Sequence, residues 1–263
     1  MTPLFETPGA PVEQGRAQGE SLASEIRAAA LRLRGSLPWL ARRALVRRVR
    51  GTSARALETQ LPWQRERIEG MALASGTPEW LLLLGEALTR VQGAAFVAAS
   101  APLGAAFELP AGLESLVALR RSRPDAGGFA SAELVLAPLA GCLCGVNSEG
   151  LAAVCTRDLS RDELSLRFLA QELLFRARDL EAGIDHLRRR AAYAGGTGEL
   201  VVADAAGRAR SLAFRGGRLE LRPVPGAARA LRPQVELDPG AGRLTWLGVD
   251  GGAPATRLDA AAR

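Results

Sequence analysis

The hydrophobic period of this chain changes near Gly93, and that change restricts the folds open to it. Up to Gln92, apolar residues recur at helical spacing; beyond Gly93 they come in short runs parted by turn residues. In "VEQGRAQGESLASEIRAAALRLRG", Leu22, Ile26, Ala29, Ala30 and Leu33 share one helical face, and Gly35 and Pro38 end it. "LPWQRERIEGMALASG" is a second helical unit with Gly76 as its C-cap. "TPEWLLLLGEALTR" is a third, with Thr77 as N-cap and Pro78 at the first helical position. After the change, "AAFVAAS", "AAFEL", "LESLVALRRS" and "ASAELVLAPLAG" predict strands, and "CLCGVNSEGLAAVCT" predicts two more around Asn147-Ser148-Glu149-Gly150. The helical period returns from Asp162 to Arg190, broken near Asp179. A three-strand meander follows in "GELVVADAAGRARSLAFRGGRLELRPV", and the Pro- and Gly-rich tail holds one strand-like piece, "RLTWLGV".

Strands that cluster in hairpin-joined runs argue for antiparallel sheets and against βαβ winding. Two such sheets enclosed by helices give an α+β fold of four layers, an αββα sandwich. Three segments are expected: a helical N-terminal segment (1–92), the αββα core (93–224) and a Pro/Gly-rich C-terminal extension (225–263). No stretch of ~18 uncharged apolar residues is present, which argues against a membrane partner. The first residues lack the basic start and apolar run of a signal peptide, so a cytoplasmic location is the expectation.

The formal net charge is +6, and every basic residue except His186 is Arg. With the abundant Ala and Gly, this is first a coding bias. The alternative is an acidic partner such as nucleic acid, for which "LARRALVRRVR", with Arg42, Arg43, Arg47, Arg48 and Arg50, is the best support. No RRM, zinc-finger or helix-turn-helix pattern accompanies it, so a solvated helix face is expected and nucleic-acid binding is not. Cys142, Cys144 and Cys155 form no CxxC pair and lie among apolar residues, where they read as small core side chains. A single His cannot complete a zinc site with them, and no metal is expected. His186, in "IDHLRRR", reads as exposed or capping.

Four stretches, in this order and spacing, resemble the penicillin acyltransferase-like (C45) family of N-terminal nucleophile (Ntn) hydrolases. "GRAQGESLASEI" (Gly15 to Ile26) is similar to the family's opening Gly-x-x-x-Gly helix. "ERIEGMALASGTP" (Glu66 to Pro78) is similar to its next helix and exit. "GVNSEGLAA" (Gly145 to Ala153) resembles its hairpin, and "LVVADAAGRARSLAF" (Leu200 to Phe214) its "lLvAD-x-x-G" strand pair. The resemblance implies the αββα fold, amide hydrolysis or acyl transfer on linear amides, and no cofactor. In active members, a Cys freed by self-cleavage attacks the amide carbonyl, with its own α-amino group as base.

Against that pattern, "GAAF" stands where "CTSF" is expected. The nucleophile position falls on Gly93 or Ala94, with Ala95 beside it. In the returning strand, Ala105 and Ala106 take the Arg and Asn positions and Glu108 the Asp position. Gly198 or Glu199 stands where an Asn is usual, and Thr156 lies near another. The resemblance therefore implies a catalytically degenerate member. It would stay uncleaved before residue 93 or 94 and bind a small acyl or amide ligand, or a partner protein, in the inherited cleft. Glu108, Asn147, Thr156 and Glu199 are the ligand-binding candidates, Glu108 being either paired with an Arg or partly exposed. The alternatives are an active amidohydrolase or acyltransferase with a relocated nucleophile (Cys142, Cys144 or Cys155, with Ser100 and Ser148 behind them) and a basic nucleic-acid-binding module on another fold.

Overall fold

The computed structural model describes residues 2–97, 103–109, 112–125, 127–159, 164–191, 197–224, 234–247 and 256–260. Among them, strand β1 (Leu4–Gly9) precedes helices α1 (Pro11–Ser21), α2 (Ala23–Ser36), α3 (Trp39–Arg48), α4 (Ala54–Gln60), α5 (Pro62–Ser75) and α6 (Glu79–Leu88). Strands β2 (Val91–Phe96), β3 (Leu103–Glu108), β4 (Val117–Pro124), β5 (Ser131–Leu136), β6 (Cys144–Asn147) and β7 (Leu151–Asp158) follow. Helices α7 (Leu166–Arg176) and α8 (Leu180–Arg190) lead to β8 (Gly198–Asp204), β9 (Ala209–Arg215) and β10 (Arg218–Arg222). The last strands are β11 (Val235–Asp238), β12 (Arg243–Trp246) and β13 (Thr256–Asp259). The chain is thus mixed α+β, with helices packed on one large curled sheet. No helix among the described residues is long and apolar enough to cross a membrane.

Four local expectations are corrected. The helical front opens with a strand: β1 pairs parallel with β4, burying Phe5 and Thr7 and exposing Leu4 and Glu6. Six alternating residues are too few to stand out ahead of a long helical pattern. The first long helix is two, because Leu22 takes φ −122° and breaks the run between α1 and α2. Helix α6 starts one residue late, since Pro78 has an extended ψ of 129°; Pro78 is itself the N-cap, and the Thr77 hydroxyl makes no capping bond. The tail holds more than the one strand-like piece expected in "RLTWLGV": β12 forms there, and β11 pairs antiparallel with β3 and carries β12 and β13 with it. Strands of four residues carry little periodic signal against a Pro- and Gly-rich background.

Strand β7 is the junction of the sheet. One of its edges pairs with β8 along its whole length. Its other edge is shared: Ala152–Val154 pair with β6, and Arg157 and Asp158, beyond a bulge, pair with Gln92 and Val91 of β2. From there the order β2-β3-β11-β12-β13 doubles back until β11–β13 touch β4–β6. Every residue of β5 and β6 is buried, which requires cover on both faces. Helix α7, packed on β6–β8, supplies one cover and the returning strands the other.

Helices α1 and α5 cross with their backbones in contact, because the residues at the crossing are glycines. A Cβ on Gly15 would lie 2.0 Å from the Arg67 carbonyl oxygen, and one on Gly70 would lie 2.0 Å from the Val12 carbonyl oxygen. Neither obstacle is a flexible side chain, so the helices must separate to admit a methyl group. Gly15→Ala and Gly70→Ala are each expected to destabilise the fold by about 1–3 kcal/mol in urea unfolding. Gly35→Ala, which meets nothing within 4 Å near the end of α2, is expected to be neutral or to stabilise by up to about 1 kcal/mol.

Candidate functional site

The link between β5 and β6, Ala137–Leu143, is irregular and yet buried, Pro138 alone being half-exposed. Its two ends are met by neighbouring backbone, the Ala137 amide donating to the Leu116 carbonyl (2.8 Å) and the Leu143 amide to the Leu134 carbonyl (2.8 Å), and most of the polar groups between them are met by groups from elsewhere in the chain. Gln18 Nε2 donates to the carbonyls of Ala137 (3.2 Å) and Leu139 (2.8 Å). Arg120 Nη1 donates to the Ala140 carbonyl (3.0 Å). Glu86 Oε1 accepts from the Ala140 (2.7 Å) and Gly141 (3.1 Å) amides, and the Arg167 carbonyl accepts from the Cys142 amide (3.4 Å). Helices α1, α6 and α7 and strand β4 thus converge on seven residues.

The two charged side chains that touch the link, Arg120 and Glu86, each belong to a buried group of paired charges. On one side, Arg120 and Glu133 are cross-strand neighbours in the β4–β5 ladder and form a doubly bonded ion pair. Gln171 Nε2 (3.0 Å) and the Ser131 hydroxyl also donate to Glu133. Arg67 sits nearby, with its Nη2 3.2 Å from the hydroxyls of Thr7 and Ser122. On the other side, Arg167 Nη2 donates to the Glu86 carboxylate (3.1 Å), and its Nη1 lies 3.2 Å from Asp158 Oδ2, which also accepts from the Ser165 hydroxyl (2.6 Å). Two cations and one anion face one cation and two anions, and Ala140, bonded to both Arg120 and Glu86, joins the groups into a neutral whole.

The titration behaviour follows from this arrangement. Burial would raise the Glu133 carboxyl, but Arg120, Arg67 and the Ser131 hydroxyl bring it below the ordinary carboxylate range. Burial and the charge of Arg120 push Arg67 well down from the usual arginine value, and its Nε has no hydrogen-bond partner among the described residues. Burial would lower Arg167 too, but Asp158 and Glu86 hold it above the ordinary value. These six side chains are almost wholly withdrawn from solvent, none more than 4% exposed. They can orient backbone, but no substrate reaches them.

The residues singled out from the sequence are dispersed. Gly93, Ala94 and Ala95 lie in β2, paired with Phe107, Ala106 and Ala105 of β3. A Cβ on Gly93 would come within 2.5 Å of the Ala106 carbonyl oxygen. Ala105 is fully buried, while Glu108 is exposed at the strand end opposite Gln92. Asn147 is a staple of the fold: its Nδ2 donates to the carbonyls of Leu174 (3.0 Å) and Ala177 (2.8 Å), and its Oδ1 accepts from the Glu149 (3.1 Å) and Leu151 (2.8 Å) amides. The Thr156 hydroxyl donates to the Glu199 carbonyl, and the Glu199 carboxylate accepts from Ser211. Gly198 is buried against Leu166 and the Arg157 carbonyl.

All three thiols are fully buried, and burial pushes each of them up, away from thiolate. Ser148 is exposed on the β6–β7 turn, and Ser100 lies outside the described residues. His186 is largely buried, contrary to the exposed or capping role expected of it. Its Nε2 lies 2.9 Å from Arg190 Nε and 3.2 Å from a carboxylate oxygen of buried Glu172, which also accepts from Arg176 and from the Trp63 indole. A basic helical run gives no sign of a buried acid on the preceding helix.

A cavity of about 510 Å³ lies elsewhere, between α2 and α6. None of Gly93, Ala94, Ala95, Ala105, Ala106 or Glu108 lines it. Its walls include Ala29, Ala30 and Leu33 of α2, Leu81 and Leu82 of α6, and Leu113, with Arg32 and Arg90 as the charged members among the described residues. Sequence reasoning had Ala29 and Leu33 on the buried side of a helix, and nothing in their spacing distinguishes a filled core from a hollow one.

Glu133→Gln is expected to cost about 3–5 kcal/mol in denaturant unfolding at neutral pH, because Arg120 loses its ion-pair partner and Arg67 the carboxylate whose charge favours it. Since the folded carboxyl lies below the ordinary glutamate value of 4.5, its stabilisation is full above that pH and is lost as pH falls through the folded value. Wild-type stability should therefore drop on acidification below about pH 4.5 more steeply than that of Glu133→Gln. Glu172 and Asp204, also depressed, should leave some acid sensitivity in both. No protein-family model matches the sequence, and no curated protein matches it.

Proposed function

We propose that the chain keeps the αββα architecture of a C45-type Ntn hydrolase without its acyl-transfer centre, and that it binds a small acyl or amide ligand instead of cleaving one. Several features support this reading. The two glycine-bearing stretches that carry the resemblance are the ones that meet at the α1–α5 crossing. The "GVNSEGLAA" hairpin forms with Asn147 as its staple, and the sheet doubles back on itself.

The observation that carries the proposal is the packing of β2. At Gly93, the Ala106 carbonyl stands where a side chain would begin. A nucleophile there requires the β2–β3 ladder to open. At Ala94 and Ala95 the side chains are methyl groups. Self-cleavage by N-to-S or N-to-O shift needs a thiol or hydroxyl on the residue that follows the scissile bond. The bonds before residues 93 and 94 therefore stay intact, and no free α-amino group arises to act as base. The relocated-nucleophile alternative loses its support because the three thiols are enclosed and held away from thiolate.

Intact-mass measurement of the purified protein should give a single species of 27.7 kDa. A panel of linear amides should show no burst of acyl-enzyme, and iodoacetamide should label the three cysteines after unfolding and none of them before. Two fragments parting near residue 93, or burst kinetics with a native cysteine labelled, would overturn the proposal.

A further inference from the structure

The cavity between α2 and α6 has the size of a small-molecule site, about 510 Å³ against the usual ~300–1,000 Å³. Its chemistry is uneven in an informative way. Among the described residues its walls are mainly Ala and Leu, with no aromatic ring on which a base or sugar would stack. Leu88, at the end of α6, lines it while 41% exposed, so a large apolar side chain is left partly in water. Among the described residues no acidic side chain lines it, whereas two arginines do: Arg32 from α2 and Arg90 just before β2. Both are exposed, and neither is ion-paired among the described residues. An apolar hollow edged by two unpaired guanidinium groups suits an aliphatic chain that ends in an anion, because guanidinium matches a carboxylate in two-point geometry.

We infer that this cavity binds a free single-chain amphiphile with an anionic head, an alkyl carboxylate being the simplest, its chain among Leu33, Leu81, Leu82 and Leu113 and its head at Arg32 and Arg90. The inference deepens the binding role proposed above and gives it a place beside the start of β2, in a cavity that Gly93, Ala94 and Ala95 do not line. No covalent step is involved, and no residue of the cavity is nucleophilic apart from the ordinary hydroxyls of Ser36 and Thr89.

The test is calorimetric titration of the full chain with dodecanoate below its aggregation threshold, beside dodecanol and dodecyltrimethylammonium. Dodecanoate should bind, the alcohol at least tenfold more weakly, and the cation not at all. Arg32→Ala and Arg90→Ala, both at exposed positions, should each weaken dodecanoate about tenfold, the size of a lost charge-assisted contact. Ala29→Phe, which fills the hollow without touching charge, should abolish binding while far-UV circular dichroism is kept. Absence of dodecanoate binding, equal binding of the three probes, or full affinity in both arginine variants would overturn the inference. So would sedimentation with phosphatidylglycerol vesicles that persists in Ala29→Phe, since that places the anion site on a membrane surface. An intact chain that fails to bind dodecanoate ends this inference alone. A cleaved chain that still binds it ends the non-hydrolytic reading and leaves the cavity assignment standing.

Discussion

A stretch of seven residues without regular structure, Ala137–Leu143, runs through the interior, and its amides and carbonyls have to be met there. The elements that meet them come from all parts of the chain: Gln18 from α1, Glu86 from α6, Arg120 from β4 and Arg167 from α7. The helical front and the strand-rich core therefore share one set of hydrogen bonds. β1 adds a second tie through its parallel pairing with β4, and the glycine crossing of α1 and α5 sets how close the front can come. The front is held in place by polar contacts at depth as well as by apolar burial.

Six charges are buried at and beside this loop, two of them, Arg120 and Glu86, bonded to it, and their arrangement limits the cost. Each carboxylate accepts from a guanidinium or lies beside one, and the two groups balance. A buried pair gains little over apolar packing, but removing one partner strands the other. Helix α7 concentrates these demands: Arg167 and Gln171 serve the two charge groups, and Glu172 gathers Arg176, His186 and Trp63 on the next face. The nitrogens left over, Nε of Arg67 and of Arg167, show where the network is least complete. These six charged side chains are enclosed from solvent and are spent on one another and on backbone.

Much of the framework was legible in the residues. The change of period near Gly93, the Asn147–Gly150 hairpin, the Gly76 cap and the break at Asp179, whose side chain accepts from the Ala182 amide, rest on local rules, and the chain obeys them. What was not legible depends on register and distance. Arg120 and Arg121 are adjacent in sequence, yet the first is buried against Glu133, while the second reaches Glu6 and the carbonyl of Asp259. Strand alternation shows that the two differ; only the β4–β5 register shows which one has a carboxylate opposite. Asn147, taken from the sequence as a ligand candidate, spends its donors and acceptors on backbone. The cavity between α2 and α6 escaped notice because hollow and filled cores have the same pattern of apolar residues.

The dependence of the fold on the buried link is tested most directly by native-state hydrogen exchange at the Ala140 and Gly141 amides, both held by Glu86 Oε1. If the link is integral to the core, these amides exchange only through global unfolding, with the same free energy and denaturant slope as amides of β6 and β7. Fast, denaturant-independent exchange at residues 140 and 141, while β6 and β7 stay protected, would contradict the account.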